Sequence, residues 1–332
     1  MMKRMMGWLA LVLALALCGA PTLAEPAEPV HLVFATMQEG TGAYAYASAL
    51  AGIMQDALPE GSTVELQTTS PGAVGAPAML EAGECDLVMS NAAPALWYVQ
   101  DHRDTGVRAL CGGLGYDFMN VMMTEAFAEK SGVFTLEEIV EKQLPVRLAV
   151  KEEGTLGELA ARKLLEALGV RYADIEAWGG KVIHTDSQGI AEAFEKGEAD
   201  LTIDHIAAWQ ENTTRLCEGV PMRFPQLKEE TLNHLVEMGF GVIDVEPGMF
   251  AGQTEAIAAV GSQQVVLVRQ DMDAALAQAL ARAVCEHADE LAKLSPALER
   301  FVPMYAGTAE LCGAEVHAGA AQYYWEQGYP QK

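Results

Sequence analysis

The chain has 332 residues, 51% hydrophobic and 20% charged, a globular composition long enough for one large domain or two ordinary ones. Its formal net charge is −25; nucleic acid and anionic lipid surfaces both call for the opposite sign, so neither is an expected partner. No apolar stretch reaches the ~18 residues that mark a membrane span.

The chain opens with Lys3 and Arg4, then an apolar run over 7–17, then Thr22-Leu23-Ala24 with small residues at the −3 and −1 positions of a cleavage site. This pattern predicts a secretory signal peptide over 1–24 and export to the periplasm. Removing Lys3 and Arg4 takes the net charge of 25–332 to −27. Cys18 raises a rival, a lipid anchor, but Leu17 stands where a small residue normally precedes a lipidated cysteine. The other five cysteines, Cys85, Cys111, Cys217, Cys285 and Cys312, are scattered without a Cys-x-x-Cys pair. They predict neither a zinc site nor a cofactor, and Cys85 and Cys285 sit in apolar patterns as small buried hydrophobes.

Beyond the leader the chain is written twice. Glu39-Gly40-Thr41 recurs as Glu153-Gly154-Thr155, and Glu81-Ala82-Gly83-Glu84-Cys85-Asp86-Leu87 recurs as Glu195-Lys196-Gly197-Glu198-Ala199-Asp200-Leu201, both at an offset of 114 residues. Each copy predicts the same order of elements: a strand (31–36 or 146–151), a glycine-containing turn, and a helix (43–58 or 156–168). A second strand follows (64–69 or 181–186), then a short helix ending at Gly83 or Gly197, then a third strand (85–90 or 199–204). Thr155 and Glu158 predict a capping box. Strands alternating with helices imply parallel layers, hence an α/β fold of two similar lobes. The expected division is 25–114 with 268–332 for the first lobe and 115–267 for the second. The segments 108–124 and 263–269 are expected to cross between them, and 274–291 is a long helical pattern returning to the first.

Open α/β sheets bind ligands beyond the carboxyl ends of their strands. Two facing lobes therefore predict one cleft. In lobe one its candidates are Gly40, Thr41, Gly42 and Tyr44, then Ser70, Gly72 and Ala73, then Ser90 and Asn91. In lobe two they are Lys151, Gly154 and Thr155, then Asp186 and Ser187, then Asp204 and His205. Glycine-rich turns at helix starts offer backbone N–H groups to a carboxylate, although such glycines also serve simply to turn the chain. Lys151 is placed to pair with a ligand carboxylate, and Asp204 to hold an ammonium or to pair with Lys151. Tyr44 and Trp209 are candidates to pack on an apolar part of a ligand. No Walker-type lysine follows either turn, and no serine has the G-x-S-x-G context of a hydrolase nucleophile. Carboxylates are plentiful, but the sequence alone picks out no acid–base pair among them, and nothing in it forces an enzyme reading.

These motifs resemble the TAXI class of substrate-binding proteins of TRAP transporters over residues 30–330. The resemblance rests on Gly40-Thr41-Gly42-Ala43-Tyr44, Ser70-Pro71-Gly72-Ala73-Val74, Gly154-Thr155, the segment 247–253, and the closing run from His317 to Gly328. Phe250 and Ala318 stand where that class has tyrosine and proline. Ala73 and Ala76 replace a more usual serine and asparagine, and Glu152-Glu153 replaces a turn richer in glycine and serine. The resemblance implies a two-lobed type II periplasmic-binding-protein fold. It implies a monomer that captures a small carboxylate-bearing ligand, such as glutamate or an organic acid, and delivers it to TRAP membrane subunits. An enzyme on the same fold and a sensory receptor are the competing readings.

Overall fold

The computed structural model describes residues 26–39, 41–295 and 298–330. The expected signal peptide, Cys18 and the candidate Gly40 lie outside the described residues. The described strands are β1 (His31–Ala35), β2 (Thr63–Gln67), β3 (Leu87–Asn91), β4 (Val107–Leu114), β5 (Asp117–Thr124) and β6 (Arg147–Val150). They continue with β7 (Lys181–His184), β8 (Leu201–Ala207), β9 (Met222–Arg223), β10 (Gly241–Val245), β11 (Ile257–Gly261) and β12 (Gln264–Arg269). Two sheets of five strands result, in the orders β2-β1-β3-β12-β4 and β7-β6-β8-β5-β9, with β10 and β11 as a separate antiparallel ribbon.

The duplication is visible atom by atom. β1 is parallel to β2 and β3, as β6 is to β7 and β8. Phe34 pairs with Leu87, and 114 residues on Leu148 pairs with Leu201. In each sheet the third strand is then flanked by an antiparallel one, β12 or β5. The repeated aspartate explains its own recurrence. Asp86 Oδ2 accepts the Val33 N–H at 2.9 Å, and Asp200 Oδ2 accepts the Arg147 N–H at 3.0 Å, so each fastens the start of its third strand to the first. The repeated threonines are equally matched. Thr41 Oγ1 donates to Gln38 O and accepts from Tyr44 N; Thr155 Oγ1 donates to Glu152 O and accepts from Glu158 N. Each is an N-cap. The predicted capping box at Thr155 is only half formed. The Glu158 carboxylate goes instead to Arg162, at 2.7 Å, and to Gly154 N.

The first sheet carries helix Gly42–Asp56, whose Tyr46, Leu50, Ile53 and Met54 pack over Phe34 and Leu87. The C-terminal part closes the same core: Tyr323 and Tyr324 are buried, and Tyr324 Oη donates to Leu110 O at 2.8 Å. The closing motif is thus structural; His317 Nδ1 caps its helix by accepting from Gly319 N. The long helix expected over 274–291 is two, Ala274–Glu286 and Ala288–Leu294. They part at His287, whose ring bonds the Ala283 carbonyl at 2.9 Å while its backbone leaves helical geometry. All five cysteines from Cys85 onward are buried and free.

Helix Ala318–Glu326 packs tightly on Ala274–Glu286 at Gly319, where a Cβ would stand 1.9 Å from Ala274 O. Gly319→Ala must push the helices apart, and overpacking of this kind costs about 2 kcal/mol. A chemical-denaturation midpoint lowered accordingly is the expected result; an unchanged midpoint would mean the contact yields freely.

Candidate ligand-binding cleft

The carboxyl ends of the parallel strands in both sheets face one cleft of about 580 Å³. From the first sheet come Thr41 and Gly42 after β1, Gly72 and Ala73 after β2, and Ser90 and Asn91 at the end of β3. From the second come Lys151, Gly154 and Thr155 after β6, Asp186 and Ser187 after β7, and Asp204 and His205 in β8. The antiparallel strands contribute their amino ends, Asp117 of β5 and Gln264 of β12. A larger open groove of about 1130 Å³ lies at the other end of the second sheet, around Thr124, Arg147 and Pro221. It is lined by that sheet's side alone, and its arginine is already bound to Asp200. The cleft, drawing on both sheets, is the candidate site.

Residues 34–328 match the NMT1-like family, a span that takes in both sheets and the cleft. The chain belongs to the NMT1-like family. Among solved structures it is similar to a TctC solute-binding protein from Polaromonas, at 14% identity and a TM-score of 0.51 over 92% of this chain and 99% of that one. It is also similar to the putative periplasmic sulfonate-binding protein SsuA from Methylobacillus flagellatus KT. There the identity is 14% and the TM-score 0.50, over 80% of this chain and 69% of that one. Among curated proteins none matches. The fold is the two-lobed α/β fold of periplasmic binding proteins.

In this NMT1-like chain most of the predicted hydroxyls are committed to the backbone. Ser90 Oγ donates to Ala73 O at 2.8 Å, Ser70 Oγ accepts from Gly72 N, and the two threonines cap their helices. They shape the turns. The first-turn residues Gly42 and Ala43, and Leu156 and Gly157, line the cleft, and the N–H groups of a first turn have no intrahelical partner. Tyr44 and Ser70 are not among the lining residues, and neither is Trp209, which is half exposed and edge-on to Tyr116.

Lys151 does not stand free. Its Nζ donates to Ser187 Oγ and lies 3.6 Å from Asp204 Oδ2, with both side chains of the ion pair largely buried. Asp204 Oδ1 accepts its neighbour's N–H, from His205, at 2.7 Å. Gly157 lets this pair sit against the helix start, since a Cβ there would meet Asp204 Oδ1 at 2.2 Å and Lys151 Cγ at 2.6 Å. Burial pushes the Asp204 carboxyl up to about 6, with Lys151 pulling it back. His205 lines the cleft and also serves as a strut: its Nε2 accepts the Ser262 N–H at 3.0 Å, and burial lowers it to about 4. Ser262 lies between β11 and β12, and its carbonyl accepts from Asn91 Nδ2, so Asn91 and His205 grip one crossing between the sheets.

Sequence reasoning missed Asp117, Gln264 and Tyr46. Asp117 is buried at the cleft, and its Oδ2 accepts from Gln264 Nε2 at 3.1 Å. Its Oδ1 has no partner. Burial pushes this carboxyl up to about 6, and the nearby polar groups of Gln264, Asn91 and Tyr46 keep it from rising further. Tyr46 in turn is raised by its own burial and by Asp117. The cleft as a whole is acidic. Asp117, Glu152, Asp186, Asp204 and Glu211 line it, against Lys151 as the one lysine or arginine among the described lining residues.

Proposed function

We propose that this protein is an exported solute-binding protein of the TAXI kind, which closes its lobes on a small amino acid or organic acid and hands it to TRAP membrane subunits. The observation that carries the reading is one cleft lined by the corresponding turns of two duplicated α/β units. Helix first turns from both sheets are suited to a ligand carboxylate, and the acidic lining is suited to an ammonium. Membership of the NMT1-like family and the solute-binding neighbours support capture rather than turnover. The TRAP partnership is supported by the motif resemblance described for the sequence. Export, and a periplasmic location, are supported by the leader pattern of 1–24. Among the described residues no helix is long and apolar enough to cross a membrane.

The expected lobes, 25–114 with 268–332 and 115–267, need their second division moved to 263/264, because all of β12 pairs with β3 and β4 of the first sheet. The chain crosses once between β4 and β5 at Gly115-Tyr116. The return crossing lies between β11 and β12 at Ser262-Gln263, a few residues before the 267/268 division. Hinge closure about these two crossings fits the reading.

The test is a thermal-shift screen of the purified protein against amino acids and organic acids. A ligand at 100 times its Kd adds about 2.7 kcal/mol of stability, a rise in Tm of at least several degrees. The expected result is such a rise with the ligand recovered chemically unchanged. Conversion of the ligand to a product would overturn the reading.

A further inference from the structure

We propose that Asp117 is the seat of a cationic nitrogen of the ligand, so that the solute is an amine or amino acid rather than a nitrogen-free acid. The inference rests on the solute-binding reading of the cleft and names the ligand class it takes.

Five carboxylates line the cleft, and four are provided for. Asp204 has Lys151 on one oxygen and the His205 N–H on the other. Asp186 caps helix Ser187–Glu195 by accepting Gly189 N at 2.7 Å. Glu152 and Glu211 are exposed, and water solvates them. Asp117 alone is buried, at 5% exposure, with no cation acting on it. Its donors are all neutral: Gln264 Nε2 at 3.1 Å, with the Tyr46 hydroxyl and the Asn91 amide close by, and Oδ1 has no partner at full hydrogen-bond geometry. A buried carboxylate with a bare oxygen is costly, and such groups gather at functional sites.

The position is equally specific. Asp117 opens β5 directly after the Gly115-Tyr116 crossing, and Gln264 opens β12 directly after the Ser262-Gln263 crossing. The Asp117 backbone is itself tied across, since Gln263 Nε2 donates to Asp117 O at 3.2 Å. The carboxylate thus sits where both connections between the sheets meet, flanked by Tyr46 and Asn91 of the first lobe. A cation held there takes up Oδ1 and replaces the missing counter-charge at the hinge of the cleft. The helix first turns at Gly42 and Leu156 remain for the ligand's carboxylate, if it carries one.

Titration calorimetry with four probes separates the possibilities: glutamate, 4-aminobutyrate, putrescine and glutarate. They are run on the parent and on Asp117→Asn, each refolded from denaturant to strip any retained solute. The expected result is binding of at least one nitrogen-bearing probe and none, or far weaker binding, of glutarate. Asp117→Asn should then lose at least ten-fold in affinity for the bound probe. Asn keeps the shape and the hydrogen bond from Gln264, and a thermal melt of the variant shows that it folds. Binding of glutarate alone, unchanged in Asp117→Asn, would overturn the inference and leave the solute-binding reading standing. Binding of a nitrogen-bearing probe with equal affinity in both proteins would do the same. Binding of no probe would count against both.

Discussion

Lys151→Met is expected to destabilise the protein by about 3–5 kcal/mol at pH 8, and by much less at pH 5. Methionine keeps the apolar stem that packs by Gly157 and removes only the ammonium. What is left is Asp204, with its side chain 7% exposed and its countercharge gone; breaking a buried pair in this way costs several kcal/mol because one charge stays behind. The pH dependence follows from the direction of the shift. Asp204 already titrates near 6, above the ordinary aspartate value, with burial as the main cause and Lys151 opposing it. Without Lys151 the folded-state pKa rises further. A carboxyl raised in the folded state takes up its proton there before the unfolded chain does. The penalty is therefore complete above the folded pKa and fades as pH falls through it. Urea melts at pH 8 and pH 5 read the difference directly. Adding Asp204→Asn to the variant should restore most of the loss at pH 8. A deficit equal at both pH values would place the cause in packing rather than in the stranded charge.

How much of this was legible in the sequence depends on which way a strand runs. The 114-residue offset foretold two matching units, and the shared register at Phe34–Leu87 and Leu148–Leu201 is its physical content. The rule that ligands gather beyond the carboxyl ends of parallel strands led to Thr41, Gly72, Asn91, Lys151 and Asp204, all of which line the cleft. The same rule could not find Asp117 or Gln264. Both lie on antiparallel strands, so it is their amino ends that face the cleft. Nothing local in Tyr116-Asp117-Phe118 marks that aspartate; its importance comes from burial between sheets that only the folded chain brings together. The repeated motif misleads in the other direction. Asp86 and Asp200 recur because each ties two strands, and the closing 317–328 run puts Ala320, Tyr323 and Tyr324 into the first core rather than into the cleft. The half-formed box at Thr155 has a similar lesson: spacing places Glu158 correctly, but Arg162 one turn on competes for its carboxylate.

Asp117→Asn is expected to make the unliganded protein more stable at pH 7.5, by up to about 3 kcal/mol, with most of that advantage lost by pH 4. The magnitude comes from a folded-state pKa of about 6 against 3.8, some two units at about 1.4 kcal/mol each. The sign follows from burial as the first cause: the folded state disfavours the charged form. Above about pH 6 the parent bears the full cost of an ionised, half-partnered carboxylate. The cost fades as pH falls below about 6 and is gone only well below the unfolded value of 3.8, where the carboxyl is protonated in folded and unfolded chains alike. Asparagine carries no charge at either pH, so the advantage of the variant should shrink as pH falls through this window. Thermal melts across pH 4–7.5 test it, and a variant no more stable than the parent at pH 7.5 would show that Asp117 is not costly. The reason to expect the cost is functional. A residue that destabilises the empty cleft, at the meeting point of both crossings, is worth keeping only if something pairs with it when the lobes close. A bound cation should therefore invert the order, stabilising the parent above Asp117→Asn, because the charge that burdens the empty protein is the one that holds the ligand.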